Sequence, residues 1–374
     1  MKQGTAESKL VYLRSSDGGS TFEEPKVLYS VPQNMTELRV KGSGAYLTIA
    51  SVHNCWYCAE VNIIHFFTSD DNGISFNDRK VQGNFNSYAF LTWDVATEGP
   101  HIYFLVLEPV SGNYDYNLHL FSSGDRGLNF EDHIISVPSQ NGLHHPFNLM
   151  DYGWGYARKM ATEGEKIWVI WSGLNAANQE RIFVSGSQDG GHSFSIAQEI
   201  SGNLEGFQRG QETIMINGNE IYATFLKADS RIFVAKSHND GALFDPAYEF
   251  TLPNDPQLRS GWGPILIKDP ANHNVFLVRN GPVFGLLTPG SDYPVQSFIG
   301  NANIKRQNFA VAMLDPDGML HIAFVGGGVW LSTGVFTDDE IFYRRVDPDF
   351  KPILTEDYAL QLKAKENPGD GTGF

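Results

Sequence analysis

Short runs of alternating apolar and polar residues, separated by turn residues, fill most of the chain. They are rich in β-branched and aromatic residues, which favours strands, and no long run has helical periodicity. The runs with the strongest strand character each follow another predicted strand, which ends at a turn such as the one at 97–100. These runs are 45–52, 101–107, 166–171, 220–226, 275–278 and 320–325.

A turn motif recurs five times, each time directly after a further strand-like run. Ser, Gly and Phe stand at fixed offsets in the copies, which are 15–22, 69–76, 123–130, 187–194 and 237–244. Within them, one position is held by Asp17, Asp71, Asp125, Asp189 and Asn239, with spacings of 54, 54, 64 and 50 residues. Such spacing predicts one supersecondary unit per repeat.

The motif resembles the Asp-box, S-x-D-x-G-x-[ST]-[FW], of the sialidase-like (BNR repeat) β-propeller family, over residues 10–350. The resemblance implies an all-β propeller of four-stranded antiparallel blades, with the box between the third and fourth strands of a blade. It also implies a structural role for the five box positions. Their chemistry agrees, because an Asp at a turn accepts backbone N–H groups and a Gly adopts conformations that other residues resist.

Six pairs of first and second strands predict six blades. The chain would enter on the outer strands of one blade at 9–31 and leave on the inner strands of the same blade at 307–346. The N-terminal strands would then close the ring. Because 10–14 and 341–346 compete for the third position there, seven blades are the alternative. We expect one domain over 1–362 and a flexible tail over 363–374.

The composition narrows the class of partner. The 374 residues carry 27 basic and 43 acidic groups, a net charge of −16, which argues against nucleic acid. No uninterrupted apolar stretch of about 18 residues exists, so no membrane span is predicted. Residues 1–10 have no apolar core, so no signal peptide is expected in this chain. The acidic balance is common in secreted proteins, and we expect an extracellular or cell-surface location and no cofactor.

In a propeller, the loops that precede the first strands share one face. Arginines stand at that position in successive repeats: Arg158, Arg209, Arg259 and Arg306. Such a group favours an anion, since a guanidinium pairs bidentately with a carboxylate or sulfate. An acidic saccharide or a protein ligand is the expected partner. The alternative is that each arginine pairs with a local acid, such as Glu205, Glu212 or Asp255.

Other candidates lie in the same loops. Trp154 and Trp262 stand between glycines and would stack on a sugar ring or plug the channel. In the loop 139–158, His144 and His145 are candidates for a general base or metal ligand, and Tyr156 for an acid. With an arginine, such a set loosely resembles the working parts of propeller-fold polysaccharide lyases.

Two cysteines form a Cys-x-x-Cys motif in a loop after a second strand. Cys55 and Cys58, with His53, are weak candidates for zinc or copper ligands. A local disulfide and two free thiols are the alternatives.

Sialidases of the family need an arginine triad, an Asp acid and a Tyr nucleophile activated by a Glu. Here the expected arginine-isoleucine-proline motif is absent, since Arg39 lies too close to the following turn. Phe309 stands where the Tyr is expected, and Tyr343 falls in an outer strand. We therefore predict binding of an acidic glycan or protein without sialidase turnover. The alternative is a carbohydrate-active enzyme, either a glycoside hydrolase of sialidase type or a polysaccharide lyase.

Overall fold

A computed structural model describes about two thirds of the chain. The described residues are 8–16, 21–31, 35–53, 63–82, 94–110, 115–136, 144–146, 159–175, 177, 179–207, 211–229, 231–250, 264–269, 274–279, 283–287, 295–298, 307–314, 320–327, 339–346 and 358–360. They fall into two compact units, residues 1–249 and 250–374. The predicted tail 363–374 lies outside the described residues.

The described residues form strands, turns and bends, and contain no helix. In the first unit the strands are β1 Ser8–Tyr12, β2 Lys26–Val31, β3 Met35–Ser43, β4 Tyr46–His53, β5 Ile63–Ser69, β6 Asn77–Gln82, β7 Asp94–Glu98, β8 His101–Val110, β9 Asp115–Ser123, β10 Glu131–Ser136, β11 His144–Pro146, β12 Met160–Glu163, β13 Lys166–Leu174, β14 Glu180–Ser187, β15 Gln198–Glu199, β16 Thr213–Asn217, β17 Glu220–Leu226, β18 Ile232–Ser237 and β19 Tyr248–Phe250, the last ending at the unit boundary. In the second they are β20 Ile265–Lys268, β21 Val275–Arg279, β22 Val283–Leu287, β23 Val295–Phe298, β24 Gln307–Leu314, β25 Leu320–Gly327, β26 Asp339–Val346 and β27 Tyr358–Leu360.

Each sheet of the first unit is built from strands that follow one another in the chain. The first sheet is β3-β4-β5-β6, the second β7-β8-β9-β10 and the fourth β16-β17-β18-β19. In the third sheet, β12 and β11 pair with the two ends of β13, and the order continues β13-β14-β15. All pairings with a described register are antiparallel, which is the expected result of joining neighbouring strands by short turns.

The second unit contains two further four-stranded sheets, β20-β21-β22-β23 and β24-β25-β26-β27. In the second of these, β26 and β27 hold the third and fourth positions. The sequence analysis assigned the completion of this blade to the N-terminal strands. In the described residues, β1 and β2 pair with each other as a two-stranded sheet, and closure of the ring by these strands stays a prediction. Pairing with the next strand in the chain costs less loop-closure entropy than pairing with the distant N-terminus.

The apolar side chains lie between successive sheets. Ala50 and Phe66 of the first sheet pack with Phe104 of the second, and Trp168 of the third packs in one cluster with Phe225 of the fourth. Leu10 of β1 is buried in a cluster with Ile49 and Phe67 of the first sheet. The sheets are therefore stacked face to face in chain order, and the first strands β3, β7, β12 and β16 contact one another in that order.

The repeated motif forms the turn between the third and fourth strands of a sheet, as predicted. We call 69–76, 123–130, 187–194 and 237–244 the repeat turns. Each turn places its Phe against a core cluster: Phe76 packs on the cluster of Leu10, and Phe130 on that of Phe104. Phe194 likewise packs on the cluster between the second and third sheets, and Phe244 on the cluster between the third and fourth. Each repeat turn thereby fastens its sheet to the layer before it.

Candidate functional site

Most residues that the sequence analysis proposed for the ligand site lie outside the described residues. These are Arg158, Arg209, Arg259, Arg306, Trp154, Trp262, Tyr156, Cys55 and Cys58, together with the motif residue Asp17. The backbone alone is described for His144 and His145 in β11 and for His53 at the end of β4. Phe309 lies in β24, the first strand of its sheet, and Tyr343 lies in β26, the third.

The structure does describe where the first strands begin. β7 begins at Asp94 and runs antiparallel to β8, which runs antiparallel to β9. The start of β7 is therefore at the end of the sheet opposite the repeat turn that follows β9. The same order holds in the fourth sheet. In the sequence, Arg158 and Arg209 stand just before β12 and β16.

Three charged residues at the starts of successive first strands form one buried network, which we call the strand-start cluster: Asp94, Lys159 and Glu212. Lys159 Nζ lies 2.8 Å from Glu212 Oε1. The carboxylate of Asp94 accepts hydrogen bonds from the backbone N–H groups of Lys159, at 2.9 Å, and Met160, at 3.2 Å. All three residues of the cluster are buried, with at most 4% of their surface exposed. The cluster therefore joins the second, third and fourth sheets where their first strands begin.

Further contacts fix the two ends of the cluster. Glu212 Oε1 accepts a hydrogen bond of 3.2 Å from the backbone N–H of Ser172 in β13, and its backbone oxygen accepts one of 3.2 Å from Lys159 Nζ. At the other end, Lys41 Nζ of β3 lies 3.9 Å from Asp94 Oδ1. Two lysines thus face two carboxylates, and the cluster is close to neutral.

Burial dominates the electrostatics of the cluster. Desolvation lowers the pKa of the Lys159 ammonium, against the opposing effect of Glu212 and Asp94. Glu212 Oε2 is buried and has no hydrogen-bond partner among the described residues. A buried carboxylate oxygen in this state can accept a hydrogen bond from a ligand or from a neighbouring loop.

Two acids that the sequence analysis offered as local partners of the arginines are engaged by other cations. Glu212 pairs with Lys159, as described above. Glu205 Oε1 lies 3.3 Å from Arg181 Nη1. The buried side chain of Arg181 also forms an ion pair with Glu199. Asp255, the third such acid, lies outside the described residues.

The sequence analysis did not assign Asp94 or Lys159 to a site. The sequence does contain a signal for the cluster. In three successive repeats, a charged residue stands at the first position of the first strand or directly before it. A charged residue at the start of an otherwise buried strand needs a partner. The sequence does not indicate that the starts of β7, β12 and β16 lie in contact with one another.

The motif residues lie at the other end of the sheets and bind within their own turns. Asp71 Oδ1 accepts hydrogen bonds from Ser69 Oγ, at 2.7 Å, and from the backbone N–H of Ser75, at 2.9 Å. Asp125 and Asp189 accept the equivalent bonds. Such hydrogen bonds to the ionised form hold the pKa of Asp125 at about 2 and depress those of Asp71 and Asp189 further.

The last of the four repeat turns, 237–244, uses an amide for the same purpose. Asn239 Oδ1 accepts hydrogen bonds from Ser237 Oγ, at 2.8 Å, and from the backbone N–H of Leu243, at 3.0 Å. Leu243 has no side-chain donor, whereas Ser75, Asn129 and Ser193 each donate to the second carboxylate oxygen of their turn. The neutral acceptor therefore occurs where the second donor is missing.

Comparison with known proteins gives a likeness of fold. No protein-family model matches the sequence, and no curated protein is similar to it. A GH93 α-L-arabinofuranosidase of Fusarium graminearum, solved with arabinobiose, is 13% identical over 82% of this chain and 92% of its own, with a TM-score of 0.50. A Dyadobacter fermentans protein described as of unknown function is 10% identical over 82% and 93%, also at 0.50. A Trypanosoma rangeli sialidase with the inhibitor DANA reaches 0.47, at 9% identity over 90% and 59%.

The chain is an all-β protein of the β-propeller class with several four-stranded antiparallel sheets, and the predicted fold class is confirmed. The number of blades, the closure by the N-terminal strands and the Asp-box family assignment stay predictions. Among the described residues, no helix is long and apolar enough to cross a membrane.

Proposed function

We propose that this chain is a carbohydrate-directed propeller that binds an acidic saccharide, without sialidase turnover, at the face where its first strands begin. The observation that carries the proposal is the pairing of Glu212 with Lys159 at 2.8 Å. Arg158 directly precedes Lys159, and Arg209 stands three residues before Glu212. Because Glu212 and Glu205 are engaged by other cations, the arginine forks are expected to bind a carboxylate or sulfate supplied by a ligand.

The chemistry of the face supports a saccharide in particular. Trp154 and Trp262 stand in the same loops as the arginines, and an indole flanked by glycines can lie flat against a sugar ring. The similar Fusarium structure holds arabinobiose, which supports a saccharide as the class of ligand. A protein ligand rich in acidic side chains would offer the arginines similar charges and is an outcome of the test. An extracellular or cell-surface location fits either partner.

Affinity electrophoresis on gels that contain polygalacturonate, heparin or neutral arabinan tests the proposal. We expect retardation by the acidic polymers only, decreasing with added salt. Arg259→Ala and Arg158→Ala should each weaken binding about tenfold or more, because a hydrogen bond to a charged group contributes about 1.5–3 kcal/mol. Arg126→Ala is the matched control, since Arg126 lies in a repeat turn at the opposite end of the second sheet and pairs with Asp70.

Three results would contradict the proposal: no retardation by either acidic polymer, equal loss in the Arg126→Ala control, or binding of acidic proteins with no saccharide binding. In the last case the face would bind a protein ligand. Salt-insensitive binding of arabinan would instead point to a neutral sugar.

A glycoside hydrolase is the second candidate, favoured by the buried, unpartnered Oε2 of Glu212. Glycosidases of most families use a pair of carboxylates, and here Glu212 is linked through Lys159 to a second one, Asp94. Release of reducing ends from arabinan or an acidic polysaccharide, lost in Glu212→Gln with folding intact, would establish this activity. Unsaturated products would point to a lyase instead. Binding without either product supports the binding protein.

A further inference from the structure

A second group of side chains lies at the repeat-turn end of the second and third sheets, away from the strand-start cluster. Glu131 and His133 are separated by one residue in β10, so they project from the same face of the strand. His192 stands in the repeat turn of the third sheet, directly after Gly191. One ligand atom from each of the three lies within 4.8 Å of the others.

The separations between these atoms lie within ion-pair range but are longer than a hydrogen bond. Glu131 Oε2 lies 3.7 Å from His133 Nε2 and 3.5 Å from His192 Nδ1. Both distances exceed the range of about 2.7–3.2 Å for a hydrogen bond to nitrogen. By contrast, His119 Nδ1 lies 2.8 Å from Asp132, and His238 Nδ1 lies 3.0 Å from Glu220. Glu131 therefore lies within reach of both histidines at more than hydrogen-bond distance, and the three ligand atoms lie within 4.8 Å of one another.

The two distances from Glu131 are close to those between ligands of a tetrahedral metal ion. Zinc binds imidazole nitrogen and carboxylate oxygen at about 2.0–2.2 Å, which places neighbouring ligands about 3.3–3.6 Å apart. Ser122 Oγ forms a hydrogen bond of 3.2 Å with His133 Nε2, which a bound ion would replace, and water would supply the fourth ligand. Two imidazoles with one carboxylate favour zinc over calcium or magnesium, which prefer oxygen ligands.

The surroundings also favour a cation and leave it a path of entry. The cluster borders a groove of about 520 Å³ that carries further carboxylates from both sheets, among them Glu98, Glu165 and Asp189. The side chains of Glu131 and His192 are 66% and 70% exposed. An ion can thus enter from solvent without any movement of the core.

We propose that Glu131, His133 and His192 form a Zn²⁺ site that ties β10 of the second sheet to the repeat turn of the third. The ion would link two layers that are otherwise joined at this end by side-chain packing and turn contacts. The site lies at the opposite end of the sheets from the proposed saccharide face, so it stands or falls independently of that function.

Isothermal titration of chelator-treated protein with ZnCl₂ tests the site. We expect saturable binding of one ion, with His192→Ala and Glu131→Gln each weakening it at least tenfold. Since both side chains are mostly exposed, neither change should prevent folding. His238→Ala is the matched control, because His238 lies in the next repeat turn beside Glu220 and Asp245 but has no second histidine in the described surroundings. It should leave the affinity unchanged.

A cobalt spectrum separates this site from the cysteine pair. Co²⁺ bound by imidazole and carboxylate gives tetrahedral visible bands without the strong thiolate charge-transfer band, and Cys55→Ser should leave both the spectrum and the zinc affinity unaltered. Zn²⁺ should also raise the melting temperature of the wild type and of His238→Ala, but not of His192→Ala. The proposal is overturned if the wild type binds no zinc, if His192→Ala and Glu131→Gln bind it as tightly as the wild type, or if Cys55→Ser abolishes binding.

Discussion

The ammonium group of Lys159 lies 2.8 Å from a carboxylate oxygen of Glu212, and the two residues are 4% and 2% exposed. The pair joins the start of β12 to the start of β16. Its effect on stability depends on both partners, because removal of one leaves the other charge buried and unmatched.

Lys159→Met is expected to lower the free energy of unfolding by about 3 kcal/mol or more, the cost of an uncompensated buried charge. Lys166→Met is the control, since Lys166 is partly exposed and pairs with Asp240, and about 1 kcal/mol or less is expected there. Urea denaturation followed by tryptophan fluorescence measures both. Equal losses in the two variants would mean that Lys159 is as well solvated as a surface lysine.

Gly241 is required by its backbone and by its neighbour. Its φ is +79°, and a Cβ built there would lie 1.9 Å from Trp168. Gly218 has a similar φ of +67° but no atom within 4 Å of a built Cβ. Gly218→Ala should therefore cost only the backbone strain, about 1–2 kcal/mol, while Gly241→Ala should cost about 1–3 kcal/mol more through overpacking. Thermal melting of the two variants compares them, and equal shifts would show that Trp168 moves aside freely.

The Asp125 carboxylate makes the stability of its turn depend on pH. Its pKa is about 2 in the folded protein and about 3.9 in an unfolded chain. A depressed pKa stabilises the fold fully above the unfolded value, and this contribution is lost as the pH falls from about 4 to about 2. Asp125→Asn cannot titrate, yet it keeps an acceptor of the kind that Asn239 provides. The difference in urea midpoint between wild type and Asp125→Asn should therefore shrink as the pH falls from about 4 to about 2; a constant difference would contradict the assignment.

No sialidase turnover is expected. Phe309 lies in the first strand of its sheet and has no hydroxyl to act as a nucleophile, while Tyr343 lies in the third strand. Purified protein should release no product from a fluorogenic sialoside. Turnover that survives Tyr343→Phe would show that the nucleophile is elsewhere and that the alignment of Phe309 is wrong.

The sequence by itself determined the elements and their repetition. Side chains along a strand alternate between its two faces with a period of two. The repeat turns are held by hydrogen bonds between residues at most four positions apart, such as Ser69 with Gly73 and Asp71 with Ser75. Interactions of this kind are local, so the residue types at fixed offsets are enough to predict them. The same locality made the antiparallel order of neighbouring strands predictable.

Tertiary structure alone decided which distant residues meet. Asp94 and Lys159 are separated by 65 positions, and Ser172 and Glu212 by 40. Nothing in either segment specifies the other, because these contacts arise from the face-to-face packing of whole sheets. The approach of His192 to Glu131 was settled in the same way. Each depends on the positions of entire strands, which are set by the summed burial of apolar side chains between the sheets.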